Sequence, residues 1–259
     1  EQLSTGKRIN SAADDAAGLA ISNKMTSQIR GLNQAVRNAN DGISMMQTAE
    51  GAFEEMTNIA YRMKELATQA ANGTNNSSEY TAMNSEFTAL RDEMTNIIEN
   101  TSYGSGTKLL DGTTGKLTAA VDFQIGSSAA EVLSVDISGD LTSLETAMTA
   151  TEFAAGFDSG VPADDQADAK TVMGQVDSVI NAIGAARASL GASMNRLDHT
   201  VSNLTNMKEN TEAAAGQLMD ADFAKETSNM TKQQLLMNSG ISVLSASNST
   251  TQMIGSLLR

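Results

Sequence analysis

Apolar residues recur every three or four positions in two long stretches of this chain, one in each half. The C-terminal half holds a series in which seven positions separate Ile183, Leu190, Leu197 and Leu204, with Ile180, Met194 and Val201 between them. The N-terminal half shows related spacing at Leu32, Val36, Ala39, Ile43, Met46, Phe53, Met56 and Met63. This period is typical of amphipathic helices that pair along a coiled-coil seam. The pattern therefore predicts long helices that bury these stripes on each other or on neighbouring copies.

A polar stretch before the N-terminal series predicts where the first long helix begins. The segment NSAADDAAG offers Asn10 or Ser11 as an N-cap, which would place Asp14 and Asp15 in the first turn. Acidic residues are favourable there because the N-terminus of a helix carries a partial positive charge. The helix is predicted to continue from this start to about Ala71.

Glycine- and asparagine-rich segments predict the remaining helix boundaries. The turn at 72–78 should hold Gly73 in the left-handed conformation and use a serine to cap a second helix, which ends near residue 102. A third helix is predicted for 163–218, and a weaker one, interrupted by glycine, for 222–258.

The middle of the chain changes to a period of two. Val121, Phe123 and Ile125 alternate with polar residues, and so do Leu133, Val135 and Ile137. Two alternating runs separated by GSSAAE predict a β-hairpin. A short helix is predicted for 141–150, followed by a loop. The sequence thus predicts a mainly α protein, an elongated helical bundle or coiled coil with a small β-hairpin region.

Composition and charge exclude several classes of function. The net charge of -14 disfavours nucleic acid as a partner, because a polyanion would be repelled. The sequence has no cysteine, so it forms no disulfides and has no cysteine nucleophile. No run of about 18 apolar residues is present to span a membrane, and the first residues lack the apolar region of a signal peptide.

Candidate chemical groups are few. His199 has no second histidine or cysteine with which to bind a metal, and a surface or interface position is the better interpretation. Asp14 with Asp15, and Asp220 with Asp222, do not extend into a calcium-loop pattern and are interpreted as helix caps. The sequence therefore predicts no catalytic residue, no cofactor and no metal site.

Two long segments resemble bacterial flagellin. The N-terminal segment LSTGKRINSAADDAAGLAISNKMTSQIRGLNQAVRNANDGISMMQTAEGA is similar to the start of that family's helical core. The segment LGASMNRLDHTVSNLTNMKENTEAAAGQLMDADFAKETSNMTKQQLLMNSGISVL is similar to its end. With the turn QAANGTNNSSEY and the helix after it, the resemblance covers nearly all of the chain except 113–165.

The resemblance implies a structural subunit that self-assembles into the flagellar filament, the extracellular propeller for swimming. It implies a short flagellin without large outer domains, since few residues separate the hairpin from the long C-terminal helix. The implied domains are an N-terminal linker at 1–18, a helical rod at 19–218 and a C-terminal inner-tube helix at 219–259. Within the rod lie the hairpin at about 117–137 and a short variable region at about 138–165. A flagellar export chaperone and a cap protein are implied as partners.

The resemblance also places a further segment before Glu1, which would pair with the C-terminal helix in the inner tube. Without that segment, 222–258 is expected to be disordered or to borrow a partner. The residues implied to form the inner-tube surface are Leu235, Leu236, Val243, Leu244, Ile254, Leu257 and Leu258.

Innate immune receptors are the other implied partners. In flagellins sensed by the cell-surface Toll-like receptor, an arginine, a leucine and a glutamate form the contact, and they match Arg62, Leu66 and Glu86. Tyr61 stands where a glutamine commonly precedes the arginine. Cytosolic receptors of the NAIP type read the C-terminal helix, where Val243, Leu244, Leu257 and Leu258 match.

Two other classes of protein remain as alternatives. A flagellar hook–filament junction protein would share the terminal helices, although the segments at 209–214 and 220–224 favour flagellin. A chemoreceptor-like signalling coiled coil would also be rich in alanine and nearly free of proline. It should have a helical tip in place of the hairpin.

Overall fold

Long α-helices make up most of the chain that this computed structural model describes, residues 2–157 and 161–257. The helices are α1 Gln2–Thr5, α2 Ala16–Ala70, α3 Ser77–Asn100, α4 Ser138–Met148, α5 Thr151–Ala155, α6 Pro162–Met219 and α7 Phe223–Leu257. The strands are β1 Ser102–Tyr103, β2 Thr107–Lys108, β3 Val121–Gln124 and β4 Val132–Val135, and a 3-10 turn covers Lys116–Thr118. The mainly α prediction with a small hairpin is confirmed. Helix α5 and the pair β1 and β2 were not predicted.

The chain divides into two compact units. Residues 31–206 form the first, here the central unit, and residues up to 30 together with those from 207 onward form the second, the terminal unit. The helices α2 and α6 each contribute to both units.

In the central unit, α2 and α6 run antiparallel and are joined by charged side chains. Arg187 Nε of α6 donates to Glu50 Oε1 of α2 at 2.8 Å. Further along, Lys64 Nζ donates to Asp177 Oδ2 at 2.5 Å. Ion pairs at partly exposed positions contribute little energy. These two pairs therefore define the register of α2 against α6 but add little to stability. The stability comes from the apolar seam between the helices.

That seam follows the predicted heptads. Ile183, Leu190 and Leu197 are completely buried, in one core with Met46, Phe53, Met56 and Met63 of α2. Leu204 forms a smaller cluster with Leu32 and Ala35. Full burial of such a side chain stabilises a fold by about 1.5–3 kcal/mol, so the seam dominates the energetics of this unit.

The turn between α2 and α3 is organised by two asparagines. Asn75 Nδ2 donates to the backbone carbonyls of Gln69 and Ala70 at 2.8 and 3.3 Å, which satisfies the C-terminal end of α2. Asn76 caps α3 in a capping box with Glu79. The predicted serine cap is therefore wrong. So is the left-handed Gly73, because the described glycines with positive φ are at positions 6, 104, 106 and 156.

The hairpin lies on α2, where a glycine allows close approach. β3 and β4 pair antiparallel with Val121 opposite Val135 and Phe123 opposite Leu133. A Cβ at Gly42 would lie 2.7 Å from the Phe123 ring, so the absence of a side chain makes room for that ring. Asn38 Nδ2 also donates to the Gln124 carbonyl at 3.0 Å. Residues of α2 thereby hold the hairpin in place.

Three phenylalanines hold the segment around α5 against α3. The Phe87 ring meets the rings of Phe153 and Phe157 edge to face, at centroid distances of 5.8 and 5.4 Å. All three are completely buried. Asn84 Oδ1 accepts a hydrogen bond from the Phe157 N–H at 3.1 Å, and an Arg91 amino group donates to the Ala154 carbonyl. The segment expected to be a loop is therefore part of the core.

Gly156 is required by the turn after α5, and we expect Gly156→Ala to lower the free energy of unfolding by about 1–3 kcal/mol. Its φ of 79° lies in the left-handed region, and an added Cβ would collide with the Asn84 side-chain oxygen. Gly184 is a matched control, since it lies exposed in α6 with open space around a Cβ. Gly184→Ala should raise stability by about 0.5–1 kcal/mol, because alanine favours helices. Denaturant unfolding measures both, and a loss of the same size in both variants would contradict this assignment.

In the terminal unit, aspartates cap the helices. Asp15 Oδ1 accepts from the Gly18 N–H at 2.9 Å and so caps α2, which confirms the interpretation of Asp15 as a cap but not the N-cap predicted at Asn10 or Ser11. Asp14 instead closes the preceding turn by accepting from the Ser11 and Asn10 N–H groups, and these hydrogen bonds hold the pKa of Asp14 below its usual value. The prediction that Asp14 lies in the first helical turn is also wrong, because α2 begins at Ala16.

Candidate functional site

Helix α7 exposes many large apolar side chains. Leu235, Leu236, Val243 and Leu244, four of the predicted inner-tube residues, are 63%, 62%, 68% and 64% exposed. The α7 apolar surface comprises these four with Phe223, Met230, Met237 and Ile241. Predicted Ile254 and Leu257 lie where the structure does not describe side chains, and Leu258 lies outside the described residues. An exposed apolar surface of this extent marks a place of interaction.

The α7 apolar surface extends around the helix instead of forming one stripe. Phe223, Met230, Met237 and Leu244 follow each other seven apart. Leu236 and Val243 lie one position earlier in the same repeat, about 100° around the helix, and Leu235 lies a further position earlier. A helix that is apolar on several sides is stable in water only when several sides are covered. One pairing partner would leave part of this surface in water.

The beginning of α7 is fixed by the first residues of the chain. Asp222 Oδ1 accepts hydrogen bonds from the N–H groups of Ala224 and Lys225 at 3.0 and 3.2 Å and caps the helix, as predicted. The Ala221 N–H donates to the Gly6 carbonyl at 3.0 Å, and an Arg8 side-chain nitrogen donates to the Leu218 carbonyl at 2.8 Å. The helix predicted for 222–258 is confirmed, and α7 continues without a break through Gly240, where the sequence predicted an interruption.

A second candidate surface surrounds Arg62 on α2. Arg62 Nε donates to Glu86 Oε1 of α3 at 2.8 Å, and its Nη1 donates to Glu65 Oε2 at 3.0 Å. These hydrogen bonds, the one with Glu65 foremost, raise the pKa of Arg62, so the guanidinium stays charged. Tyr61 beside it is 55% exposed. The Arg62 surface comprises Tyr61, Arg62, Glu65 and Glu86.

The three residues predicted to bind the receptor differ in their exposure to solvent. Arg62 and Glu86 are about half exposed and contact each other directly. Leu66 is buried in the core one turn further along α2. A buried leucine positions the backbone of its helix and is not itself available for contact. Glu65 and Tyr61 are the members of this surface that the predicted set of three residues did not include.

Groups suited to chemistry are sparse in the described part of the chain. His199 is exposed on α6. Across residues 2–157 and 161–257, no three histidine, cysteine, aspartate or glutamate side chains are grouped closely enough to bind a metal ion. In the same residues, no helix has both the length and the apolar character needed to cross a membrane.

Family models match both ends of the chain. Residues 1–115 match the bacterial flagellin N-terminal helical region, and residues 173–258 match the bacterial flagellin C-terminal helical region. The first match contains Arg62, Leu66 and Glu86, and the second contains all of α7. Both candidate surfaces therefore lie within the two matched regions.

Relatives with similar sequences span the whole chain. A flagellin of Halalkalibacterium halodurans is 40% identical over 260 residues, covering 100% of this chain and 90% of that protein. Flagellin FlaB2 of Treponema pallidum is 39% identical over 265 residues, covering 100% of this chain and 91% of that protein. Flagellin A of Vibrio cholerae is 35% identical and covers 94% of this chain and 88% of that protein.

Solved structures agree with the sequence comparison. The crystal structure of Bacillus cereus flagellin has a TM-score of 0.54 and 32% identity, covering 69% of this chain and 94% of that chain. A putative flagellar hook-associated protein from Vibrio parahaemolyticus has a TM-score of 0.63, covering 80% of this chain and 100% of that chain, but at 16% identity it shows the fold alone. The chain belongs to the bacterial flagellin family, whose members are structural subunits that polymerise into the extracellular flagellar filament.

Proposed function

We propose that the α7 apolar surface is the main contact between copies of this chain in the filament, with 219–259 as the inner-tube helix. The observation that carries the proposal is the exposure of large apolar side chains on several sides of α7. Burying one such side chain contributes about 1.5–3 kcal/mol, so covering the surface supplies a strong drive for assembly. In a tube each helix packs between several neighbouring helices, so the apolar side chains on the different sides of α7 could all be covered.

The remaining domain boundaries belong to the same proposal. Residues 1–18 serve as a linker that anchors the start of α7, and 19–218 serve as the rod around the tube. The hydrogen bonds of Gly6 and Arg8 to 218–221 support the anchoring role. The predicted boundaries at 18 and 218 both fall inside the terminal unit.

We further propose that a flagellar export chaperone covers α7 before assembly and that a cap protein guides its ordering at the filament tip. An uncovered α7 apolar surface would favour aggregation, which is the physical reason for a chaperone. The absence of cysteine suits secretion as an extended chain, because no disulfide has to form or break on the way. We propose a structural role without catalysis, and the exposed, lone His199 supports it.

Seeded elongation tests the assembly proposal. Purified chain is added to short fragments of flagellin filament, and electron microscopy measures the growth in length. Growth at the seeds, with the added chain located by a label on the exposed Lys170, supports the proposal. A folded, helical chain that never extends the seeds, at any concentration that keeps it in solution, would overturn it.

We propose that the Arg62 surface binds the cell-surface Toll-like receptor of a host. It offers one permanently charged guanidinium between two carboxylates, with an exposed tyrosine beside it. Arginine and tyrosine are frequent centres of binding energy in protein interfaces. Leu66 is buried and contributes to this surface indirectly, because its packing in the core fixes the position of α2 next to Arg62.

Arg62→Ala should weaken receptor binding roughly tenfold or more, because a central arginine in an interface commonly contributes that much. It should leave the unfolding midpoint unchanged, since its ion pairs are exposed. Arg196→Ala removes an exposed arginine from α6 and is the matched control. Binding to the immobilised receptor ectodomain measures both variants. Equal affinity of the two variants would show that Arg62 does not contribute to receptor binding.

We propose that receptors of the NAIP type bind the C-terminal segment of the chain, through Val243 and Leu244 of α7 and through Leu257 and Leu258. The same helix is proposed for the inner tube, so assembly and cytosolic sensing would compete for it. Only free subunits would then be sensed by this route.

A further inference from the structure

We propose that Asn72 is a site of spontaneous deamidation, converting slowly to isoaspartate and aspartate in the folded protein. Asn72–Gly73 is the only Asn–Gly pair in the sequence, and it lies in the turn between α2 and α3. Both residues are exposed. Glycine has no side chain to shield its backbone nitrogen, so this nitrogen is the most accessible nucleophile that can follow an asparagine.

The two reacting groups are the side-chain amide of Asn72 and the backbone N–H of Gly73, and in the described part of the chain neither is held by a hydrogen bond. Among the described residues, the Asn72 side chain makes no hydrogen bond, and the Gly73 N–H donates to no acceptor. Gly73 lies beyond the end of α2 at Ala70, so the helix does not hold its nitrogen either. An unbound amide and an unbound N–H can rotate toward each other.

Hydrogen bonds restrain the other asparagines that lie outside helices. Asn10 Nδ2 donates to the Lys7 carbonyl at 3.2 Å, and the N–H of Ser11 after it donates to Asp14 at 2.9 Å. Asn76 accepts from the Glu79 N–H at 3.1 Å through its side-chain oxygen. Their reacting groups are therefore restrained.

Asn75 and Asn100 are restrained as well. Asn75 Nδ2 donates to three backbone carbonyls, and the N–H that follows it donates to Glu79 Oε2 at 2.8 Å. The Thr101 N–H after Asn100 donates to the Ile97 carbonyl at 3.0 Å. Asn72 is thus distinguished from the others by its surroundings as well as by the glycine after it.

The reaction needs only water. The Gly73 nitrogen loses its proton and forms a bond to Asn72 Cγ, the Cγ–Nδ2 bond breaks, and ammonia leaves with that proton. A five-membered succinimide remains. Water then opens one of its two C–N bonds and gives either aspartate, with the original backbone, or isoaspartate, in which the chain runs through Cγ. Because the first step uses a deprotonated nitrogen, its rate rises with pH.

The products alter the turn in two ways. The aspartate and isoaspartate forms each carry one more negative charge than the unchanged protein. In isoaspartate the main chain is longer by one carbon, and the former Asn72 carbonyl becomes a free carboxylate. That carbonyl accepts hydrogen bonds from Asn75 Nδ2 at 2.9 Å and from the Tyr80 hydroxyl at 3.5 Å. The two hydrogen bonds that this carbonyl accepts within the turn are therefore altered in the aged protein.

Ageing of the folded chain at mildly alkaline pH tests the proposal. Peptide mass mapping should show that residue 72 exchanges its amide for a carboxyl before any other asparagine, with isoaspartate among the products. An acidic form should accumulate in isoelectric focusing. Asn72→Gln should stop its formation, because the corresponding ring with glutamine has six members and closes slowly.

Two further samples make the outcome decisive. Asn72→Asp should migrate with the acidic form from the start and should not gain further charge at this position. The chain unfolded in urea gives the deamidation rate of Asn72 when the folded turn is absent. The proposal fails when Asn72 stays intact in the folded chain while it converts in the unfolded one, or when Asn10 or Asn76 converts as fast as Asn72.

Discussion

Leu236→Asp or Leu244→Asp, each alone, is expected to prevent the chain from extending flagellin filaments while leaving it folded. Both leucines are more than 60% exposed in the isolated chain, so a carboxylate there stays hydrated. In the filament the same position would be covered, and burying an unpaired carboxylate costs several kcal/mol. A penalty of about 3 kcal/mol already lowers an association constant by more than 100-fold. Seeded elongation followed by electron microscopy measures the effect.

Asn238→Asp is the matched control for this experiment. It adds the same charge to the same helix at an exposed polar position between the two leucines. We expect it to elongate seeds far better than either leucine variant. Elongation by Leu236→Asp at the rate of the unchanged protein would show that this part of α7 remains in water within the filament, and the proposed contact would be wrong.

Phe87→Ala is expected to lower the free energy of unfolding of the central unit by about 3–5 kcal/mol. The ring is completely buried, and its removal leaves a cavity and deletes two edge-to-face contacts with Phe153 and Phe157. Each aromatic contact contributes about 0.5–1.5 kcal/mol beyond the buried area. The segment around α5 should also exchange its amide hydrogens faster, because it loses its attachment to α3. Denaturant unfolding and hydrogen exchange measure the two effects.

Phe223→Ala serves as the comparison for Phe87→Ala. Phe223 is 57% exposed, so its removal in the isolated chain should change stability by about 0.5 kcal/mol or less. A loss for Phe87→Ala no larger than that for Phe223→Ala would show that the three phenylalanines do not hold α5.

The long helices could be predicted from the sequence because their signal is local and repeated many times. Ile183, Leu190 and Leu197 specify one face of α6 whatever else the chain does, and all three are buried. The hairpin was predictable for the same reason, since alternation over two short runs leaves one face apolar. The observed pairing of Val121 with Val135 follows that alternation.

The segment around α5 could not be predicted because its order comes from distant contacts. Phe153 and Phe157 are four positions apart, but a single interval shows no period, and the two rings are buried because Phe87 and Asn84 of α3 lie opposite them. The pair β1 and β2 has two residues in each strand, too few for any period to show.

The predicted cap of α3 was wrong for a different reason, because several residues in a row could serve as the N-cap. NGTNNSS offers three asparagines, one threonine and two serines as candidates for the cap of α3. Glu79 decides among them, since it lies three residues after Asn76 and completes a capping box. That spacing was present in the sequence and could have identified the cap.

The candidate surfaces were predictable to different extents. The apolar residues of α7 were identified by resemblance, but the structure adds that they lie on several sides of the helix. Arg62 and Glu86 were also identified, but their direct contact needed the structure, because α2 and α3 bring together residues 24 positions apart. Burial of Leu66 likewise depends on the packing of α2 in the core.

Hydrogen exchange of α7 in the free subunit and in the assembled filament tests the central claim most directly. In the free subunit its amides should exchange quickly, because an isolated exposed helix opens readily. In the filament they should become strongly protected, while the buried seam of α6 around Leu190 should stay protected in both. Equal exchange of α7 in the two states would mean that assembly does not cover this helix, and it would contradict the account.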